Sequence, residues 1–379
     1  ISSYNDFFRT GVKSIFKERN PVILQKEQDE KTKEFKYRCE LYLGGRDGSQ
    51  IYYGKPVIYD DNREHYMYPN EARLRNMSYG ITIHYDLEVD FYILDEEDGS
   101  IKTSTETYSK LFLGRFPIML QSDLCILSGL NREVRYNMGE CRNDYGGYFI
   151  IDGKEKVIIS QEKFADNMLY IRDNYNDIYS HGADIRTVSE DSSKPERTLS
   201  VRIVAPTNVY SNNQIVVNIP NVRKPIPLFI LFRALGVVSD KEIIEYCLLD
   251  LEQNSSMVDL FIPSIHDAGK IFTQETALEY IKTFTKGHTV THVLDILSNY
   301  FMPNVGELNF QQKAYALGNI VYNLLLVFTK LESPTDRDSF KFKRVEVPGI
   351  LMYNLFKEYL KHQHDNIKLK MDTEYNKNK

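Results

Sequence analysis

His288 and His292 stand four residues apart, a spacing that can set two imidazoles on one helix face around a metal ion. No cysteine and no third histidine is near in sequence, so a surface pair is the plainer reading. His362 and His364 lie two apart in a charged helical stretch and suit a metal less well still. Asp95, Glu96, Glu97 and Asp98 offer the oxygen ligands that Mg²⁺ takes. They run into Gly99, and a solvated turn accounts for them. Cys125 and Cys141 are too far apart for a zinc knuckle, and Cys125 sits between Leu124 and Ile126 as a core residue would. No metal site is expected. Lys341, Phe342, Lys343 and Arg344 follow Asp336-Arg337-Asp338. Such a cluster can neutralise phosphates, the main source of nucleic-acid affinity, while a solvated charged face is the competing reading. The sequence has no phosphate loop, no dinucleotide-binding glycine motif, no H-E-x-x-H and no G-x-S-x-G. Their absence weighs against a stand-alone enzyme.

The chain that must position these residues has 379 of them, 42% hydrophobic and 26% charged, enough for two or three domains. A formal net charge of −6 means that any nucleic-acid affinity has to come from local basic clusters. The four cysteines (Cys39, Cys125, Cys141 and Cys247) are scattered and read as reduced thiols of a nuclear or cytoplasmic protein. No run approaches the roughly 20 apolar residues of a membrane helix, and no signal peptide opens the chain, so membrane and secreted locations are not expected. The chain opens at Ile1 and closes in a polar Tyr375–Lys379 tail, and both ends read as cut.

Residues 29–36 are charge-rich and read as a loop or hairpin tip. From Ile81 to Ile93 every odd position is apolar, while Thr82, His84, Asp86, Glu88 and Asp90 alternate with them. A period of two predicts a long strand with one buried face. It ends in the Asp95–Gly99 turn, with a return strand through Lys102 to Tyr108. A second hairpin is expected where Tyr148–Ile151 and Val157–Ile159 flank Asp152-Gly153, because Asp-Gly supplies the positive φ of a tight turn. The polar, weakly periodic stretch 174–197 reads as the crossing into a second domain.

Beyond Pro227 the pattern becomes helical. A short apolar helix begins at Pro227, Asp240 is expected to cap a helix over Glu242 to Leu249, and Thr276 to Thr283 forms another. The clearest helix runs from Phe310 to Lys330, with Phe310, Ala314, Leu317, Val321, Leu324, Leu325 and Phe328 on one stripe. The fold class is α+β, with a β-rich first part and a helical second part.

Five strings go further. Tyr68-Pro-Asn-Glu-Ala-Arg-Leu-Arg-Asn-Met-Ser-Tyr79 resembles an early signature of the second-largest, β-like subunit of multisubunit DNA-directed RNA polymerases. Leu113-Gly-Arg-Phe-Pro-Ile-Met-Leu-Gln-Ser122, followed by Cys125, is similar to the next. The run from Cys141-Arg-Asn-Asp-Tyr-Gly-Gly-Tyr-Phe-Ile-Ile-Asp-Gly153 to Ser160-Gln-Glu162 is the most specific match. Ile226-Pro-Leu-Phe-Ile-Leu-Phe-Arg-Ala-Leu-Gly236 and Asp336-Arg-Asp-Ser-Phe-Lys-Phe-Lys-Arg344 complete the set. They occur in family order across nearly the whole chain and look closer to the eukaryotic, archaeal and large-DNA-virus branch than to the bacterial one. The Tyr- and Asn-rich composition points to a large DNA virus as source, which would add the viral factory or virion as locations.

The resemblance implies that this N-terminal stretch builds the protrusion (1–173, completed by 336–379) and an inserted lobe (174–335), one side of the DNA cleft in transcription. It implies as partners the largest and smaller polymerase subunits, the DNA template and the RNA–DNA hybrid. By position it places Lys156 and Gln161 toward the hybrid and Lys343 and Arg344 near the transcription bubble. Here Lys341 and Phe342 replace the family's Gly and following polar or basic residue. No catalytic residue is implied. The chain itself is expected to carry no cofactor, and the Mg²⁺ and Zn²⁺ of the complete polymerase belong to other segments. Arg73 and Arg75, among Ala72, Leu74 and Met77, are expected to pair with carboxylates, and Gly146 and Gly147 to serve backbone geometry. Two other readings stay open: a lobe-like module that docks transcription factors without touching nucleic acid, and a metalloprotein using His288 and His292.

Overall fold

The computed structural model describes residues 1–28, 35–60, 63–95, 100–190, 194–208 and 212–377. The charged tip expected at 29–36 and the turn at 95–99 lie almost wholly outside the described residues. The chain divides into two compact units, one of residues 1–162 and 345–379, the other of residues 163–344.

The first unit is built on strands β1 (Val22–Gln28), β2 (Phe35–Leu43), β3 (Ile51–Tyr53), β4 (Val57–Asp60), β5 (Arg63–Tyr66), β6 (Gly80–Leu94) and β7 (Ile101–Pro117). The antiparallel order β1-β2-β6-β3, with β7 along the other side of β6, makes β6 the spine of the main sheet. Ile81, Ile83, Tyr85 and Val89 are buried as the period of two requires. The alternation then fails: Phe91 and Ile93 are exposed and Asp90 is only 3% exposed. Arg46 explains Asp90, because its guanidinium donates to that carboxylate at 2.7 Å while the Thr105 hydroxyl donates at 2.7 Å from β7. Charge-assisted hydrogen bonds of this kind offset the cost of burying a carboxylate.

Helices α1 (Ser2–Asp6), α2 (Val12–Arg19) and α12 (Pro348–Lys377) belong to the same unit, as do the short α3 (Pro69–Leu74) and α4 (Arg132–Asn137). Tyr4, Phe7, Phe8, Phe16 and Leu360 from α1, α2, α12 and the π-helical Phe7–Gly11 segment bury against the odd-numbered residues of β6 in one apolar core. The two ends of the unit meet at Ser3, whose hydroxyl accepts from the Gly349 amide at 3.2 Å.

A tight hairpin, β8 (Phe149–Ile151) and β9 (Lys154–Lys156), completes the unit. Its two loop residues, Asp152 and Gly153, both have positive φ (49° and 76°), the turn that Asp-Gly favours. The returning strand is Lys154–Lys156 rather than Val157–Ile159. Val157 and Ile159 are 68% and 71% exposed, because β8 offers three residues of pairing and these lie past its end.

The second unit pairs an antiparallel sheet with a helical layer. The sheet runs β11 (Leu169–Asp173), β12 (Tyr179–Thr187), β13 (Arg197–Val204), β14 (Ile215–Asn218) and β15 (Ile226–Pro227) in sequence order. The polar stretch expected to be a crossing therefore holds a nine-residue strand, β12, whose Asp184 and Ser180 face outward between paired neighbours. The helices are α5 (Leu228–Ala234), α6 (Asp240–Leu248), α7 (Ser255–Val258), α8 (Ile262–Ala268), α9 (Gln274–Lys282), α10 (Val290–Asp295) and α11 (Phe310–Phe328). Ala314, Leu317, Val321, Leu324 and Leu325 of α11 are buried as the stripe requires. The cap of α6 is Ser239; Asp240 is its first helical residue, and its carboxylate holds the buried Arg233 instead. Mixed sheets and helices in both units give the expected α+β class.

Candidate nucleic-acid interface

The β8–β9 hairpin presents Lys154 and Lys156 on a fully exposed strand, with Lys156 opposite Phe149. Its base is fixed from three directions. The Ser78 hydroxyl donates to Asp152 at 3.0 Å and accepts from the Asp152 amide at 3.0 Å. Gly153 lies so close to Asn76 and the Arg73 carbonyl that a Cβ would collide with them. The Arg73 Nε donates to Glu155 at 2.8 Å. A cationic side chain on such a frame holds backbone phosphate at fixed spacing without reading sequence.

Arg73 and Arg75 pair with carboxylates, as expected. Arg73 donates through one Nη to both oxygens of Glu140 at 3.0 Å and through the other to the Tyr148 hydroxyl at 2.7 Å. Burial by itself would lower the Arg73 pKa, and the Glu140 carboxylate more than offsets it, so the guanidinium is held firmly protonated. Arg75 bonds both oxygens of Asp60, at 2.6 and 2.8 Å, and Glu71 at 3.0 Å. Gly146 and Gly147 have φ of 69° and 82°, a backbone requirement of the loop before β8.

Gln161 opens strand β10 (Gln161–Phe164), is exposed, and turns its amide back to the Ile159 carbonyl at 3.0 Å. Lys343 and Arg344 begin strand β16 (Lys343–Glu346), the sheet neighbour of β10. Lys156 and Gln161 thus belong to the first unit, and Lys343 and Arg344 to the second. Arg344 is exposed and braced along the backbone, its Nη1 donating to the carbonyls of Lys343 at 2.8 Å and Lys341 at 3.3 Å. Where Lys341 and Phe342 stand, the chain makes a 3₁₀ turn (Phe340–Phe342) capped by the Ser339 hydroxyl.

Within the second unit the basic residues gather on aromatic rings. Lys343 Nζ lies 4.6 Å from the centroid of the Phe164 ring and the Arg337 guanidinium 4.8 Å from it. Phe164 packs edge-on to Tyr170 at 5.7 Å, and Tyr170 lies 5.4 Å from Phe342. The Tyr170 hydroxyl donates to the Phe342 carbonyl at 3.2 Å, and the Ala165 amide to the same carbonyl at 2.8 Å. Aromatic faces attract the cations and help to fix the position of their heads. Sequence reasoning missed Arg337 and Phe164. The flanking Asp336 and Asp338 masked the arginine, and Phe164 stands far from it in the chain.

His288 and His292 do not share a helix face. Thr289 caps α10, so His288 lies outside the helix with a positive φ of 47°. Among the described residues, Asp60, His65 and Glu71 bring ligand atoms within 4.8 Å of one another. The Arg75 guanidinium already bonds both carboxylates and takes the place of a cation there. Cys125 is buried, as expected, and none of the four cysteines is bonded to another. No helix among the described residues is long and apolar enough to cross a membrane.

The chain matches the RNA polymerase beta subunit family over residues 1–379. It is 34% identical over 372 residues to the DNA-directed RNA polymerase II subunit RPB2 of Encephalitozoon cuniculi, covering 95% of this chain and 31% of that protein. It is 32% identical over 370 residues to the DNA-directed RNA polymerase II subunit 2 of Arabidopsis thaliana, covering 94% and 31%. Against the archaeal DNA-directed RNA polymerase subunit Rpo2N of Methanothermobacter thermautotrophicus the identity is 28% over 380 residues, covering 94% and 68%. The chain spans about a third of the length of the eukaryotic relatives it matches. With the five sequence signatures on a fold of the expected class, the chain belongs to the RNA polymerase β-subunit family, that of the second-largest subunits.

Proposed function

We propose that this chain is the part of a DNA-directed RNA polymerase's second-largest subunit that walls one side of the DNA cleft and grips nucleic-acid backbone. In this reading the protrusion, expected at 1–173 and 336–379, corresponds to the unit of residues 1–162 and 345–379, and the lobe, expected at 174–335, to the unit of residues 163–344. The observation that carries it is the family match over the full chain. The placement of cations supports it: in a chain of net charge −6, Lys156 is exposed on the paired β9 strand and Arg344 is exposed and braced on the carbonyls of Lys343 and Lys341, with Lys343 beside it in β16. Gln161 adds a neutral hydrogen-bonding contact. These groups hold phosphates irrespective of base, which suits an enzyme that moves along its template.

Phosphodiester formation from nucleoside triphosphates, assisted by two Mg²⁺ ions, is then work of the assembled enzyme, with its largest and smaller subunits. The chain's own residues bind and orient; none is assigned to bond-making. A viral source would place the assembly in a viral factory or virion, and a eukaryotic one in the nucleus. The test is incubation of the purified chain with primed template, labelled nucleoside triphosphates and Mg²⁺. No incorporation is expected, whereas label in product RNA would overturn the assignment of catalysis to other segments.

A further inference from the structure

Strand β7 runs for 17 residues along one side of β6, and no described residue pairs with its other edge. An open edge is a row of unpaired N–H and C=O groups, a template for another strand. The two halves of β7 treat this hazard differently. From Lys102 to Lys110 the strand is Thr- and Ser-rich, with charges at Lys102, Glu106 and Lys110, the composition that keeps an edge in water. From Leu111 to Phe116 it reads Leu-Phe-Leu-Gly-Arg-Phe, with one charge in six and a bulge at Leu113, the one residue of the stretch without a register partner on β6.

That apolar half borders a groove whose far wall is helix α12. Leu113 and Phe116 line it from the strand, and Phe356, Tyr359, Ile367 and Lys370 from the helix. The Phe116 and Phe356 rings meet edge-on at 5.5 Å across it. Tyr359 is 64% exposed within it. The opposite face of the strand has another chemistry. Arg115, opposite Thr82 in register, is exposed and outside the groove, and Phe112 beside it is 61% exposed. Neither Arg115 nor Lys370 has an ion-pair partner among the described residues, in a chain that is acidic as a whole.

We propose that the Leu111–Phe116 edge and α12 form a docking groove for an extended acidic–apolar segment of a partner protein, added to the sheet as a further strand. A strand edge beside a helix is how extended peptides are captured elsewhere: main-chain bonds give affinity and alternate side chains give specificity. Six residues at about 3.4 Å each cover this stretch. The occupant's side chains alternate, so one set packs on Phe356, Tyr359 and Ile367 while the other meets Arg115. Charge complementarity selects carboxylates for the second set, with Lys370 favouring one more at the groove's end. The proposal concerns the first unit alone and does not depend on the nucleic-acid reading.

The test uses the 379-residue chain and three fluorescein-labelled peptides: four Val-Glu repeats, four Val-Lys repeats, and the Val-Glu peptide with a central proline. Anisotropy titration at low salt should show saturable binding of the Val-Glu peptide. The Val-Lys and proline peptides should bind about tenfold or more weakly, since one has the wrong charge and the other lacks a main-chain donor. Arg115→Glu should reverse the preference between the Val-Glu and Val-Lys peptides, and Tyr359→Ala should weaken every peptide. Both sites are exposed, and circular dichroism checks that each variant is folded. Equal binding of all three peptides, or no saturation by the Val-Glu peptide below roughly 1 mM, would overturn the proposal. So would a concentration-dependent dimer that excludes the peptide, which would assign the edge to a second copy of the chain.

Discussion

Replacing Arg73 by Met tests whether the hairpin that carries Lys156 is held by a buried ion pair. Glu140 has a side chain 3% exposed, and its hydrogen-bond partner is Arg73, itself 20% exposed. Removing one partner of a buried pair leaves the other charge desolvated and uncompensated, which costs about 3–5 kcal/mol. The partial exposure of Arg73 puts the expected loss near the lower end, about 3 kcal/mol. Loss of the Tyr148 hydrogen bond acts in the same direction. By contrast, Glu155→Gln removes a contact to a side chain 56% exposed and should cost about 1 kcal/mol or less. Urea unfolding followed by circular dichroism and tyrosine fluorescence provides the measurement, the sequence having no Trp. Adding Glu140→Met to Arg73→Met should recover most of the loss, because two apolar side chains replace the pair. If Arg73→Met costs no more than Glu155→Gln, the buried-pair reasoning is refuted.

Lys313 is fully buried, and its ammonium donates to the carbonyls of Leu297 at 2.7 Å, Ser298 at 2.8 Å and Glu307 at 3.2 Å. Burial, with Lys194 second, lowers its pKa from 10.5 to about 8. Between those values the unfolded chain binds more protons than the folded one, so stability should rise from pH 8 to 9.5, by roughly 2 kcal/mol at most. Lys313→Met should flatten that rise in urea titrations at the two pH values; an unchanged slope would assign the rise to other groups. Gly318 of α11 lets the helix approach the Tyr246 carbonyl of α6 so closely that a Cβ would collide with backbone. Gly318→Ala should therefore cost about 1–3 kcal/mol in the same assay, and a loss under about 0.5 kcal/mol would show that the helices part freely.

What was legible in the sequence was whatever a single element's own period dictates. The stripe of α11 and the first half of β6 follow from burial of one face, and neither needs knowledge of a neighbour. The second half of β6 does: Asp90 is buried because Arg46, more than forty residues earlier, reaches it. Val157 and Ile159 resemble strand residues, yet their pairing was decided by the three-residue length of β8. The polar look of β12 hid a strand whose outward residues are satisfied across the sheet, as Asp184 is by Ser200 and Arg172. The basic string Lys341–Arg344 was visible, but the Phe164 ring that gathers Lys343 and Arg337 was not, since that contact joins distant stretches of chain. The carboxylate pairing of Arg73 and Arg75 was foreseeable from their apolar neighbours; which carboxylates they meet was not.

The central claim is that Lys156, Lys343 and Arg344 hold nucleic-acid phosphates. It is tested most directly by the salt dependence of binding to a fluorescein-labelled DNA duplex, for the chain and for Lys156→Ala/Lys343→Ala/Arg344→Ala. Each phosphate contact contributes about −0.9 to the slope of log affinity against log salt. The triple variant should bind more weakly at low salt, with a slope shallower by roughly 2 to 3. An unchanged slope and affinity would show that these three side chains do not touch the phosphates, and would contradict the account.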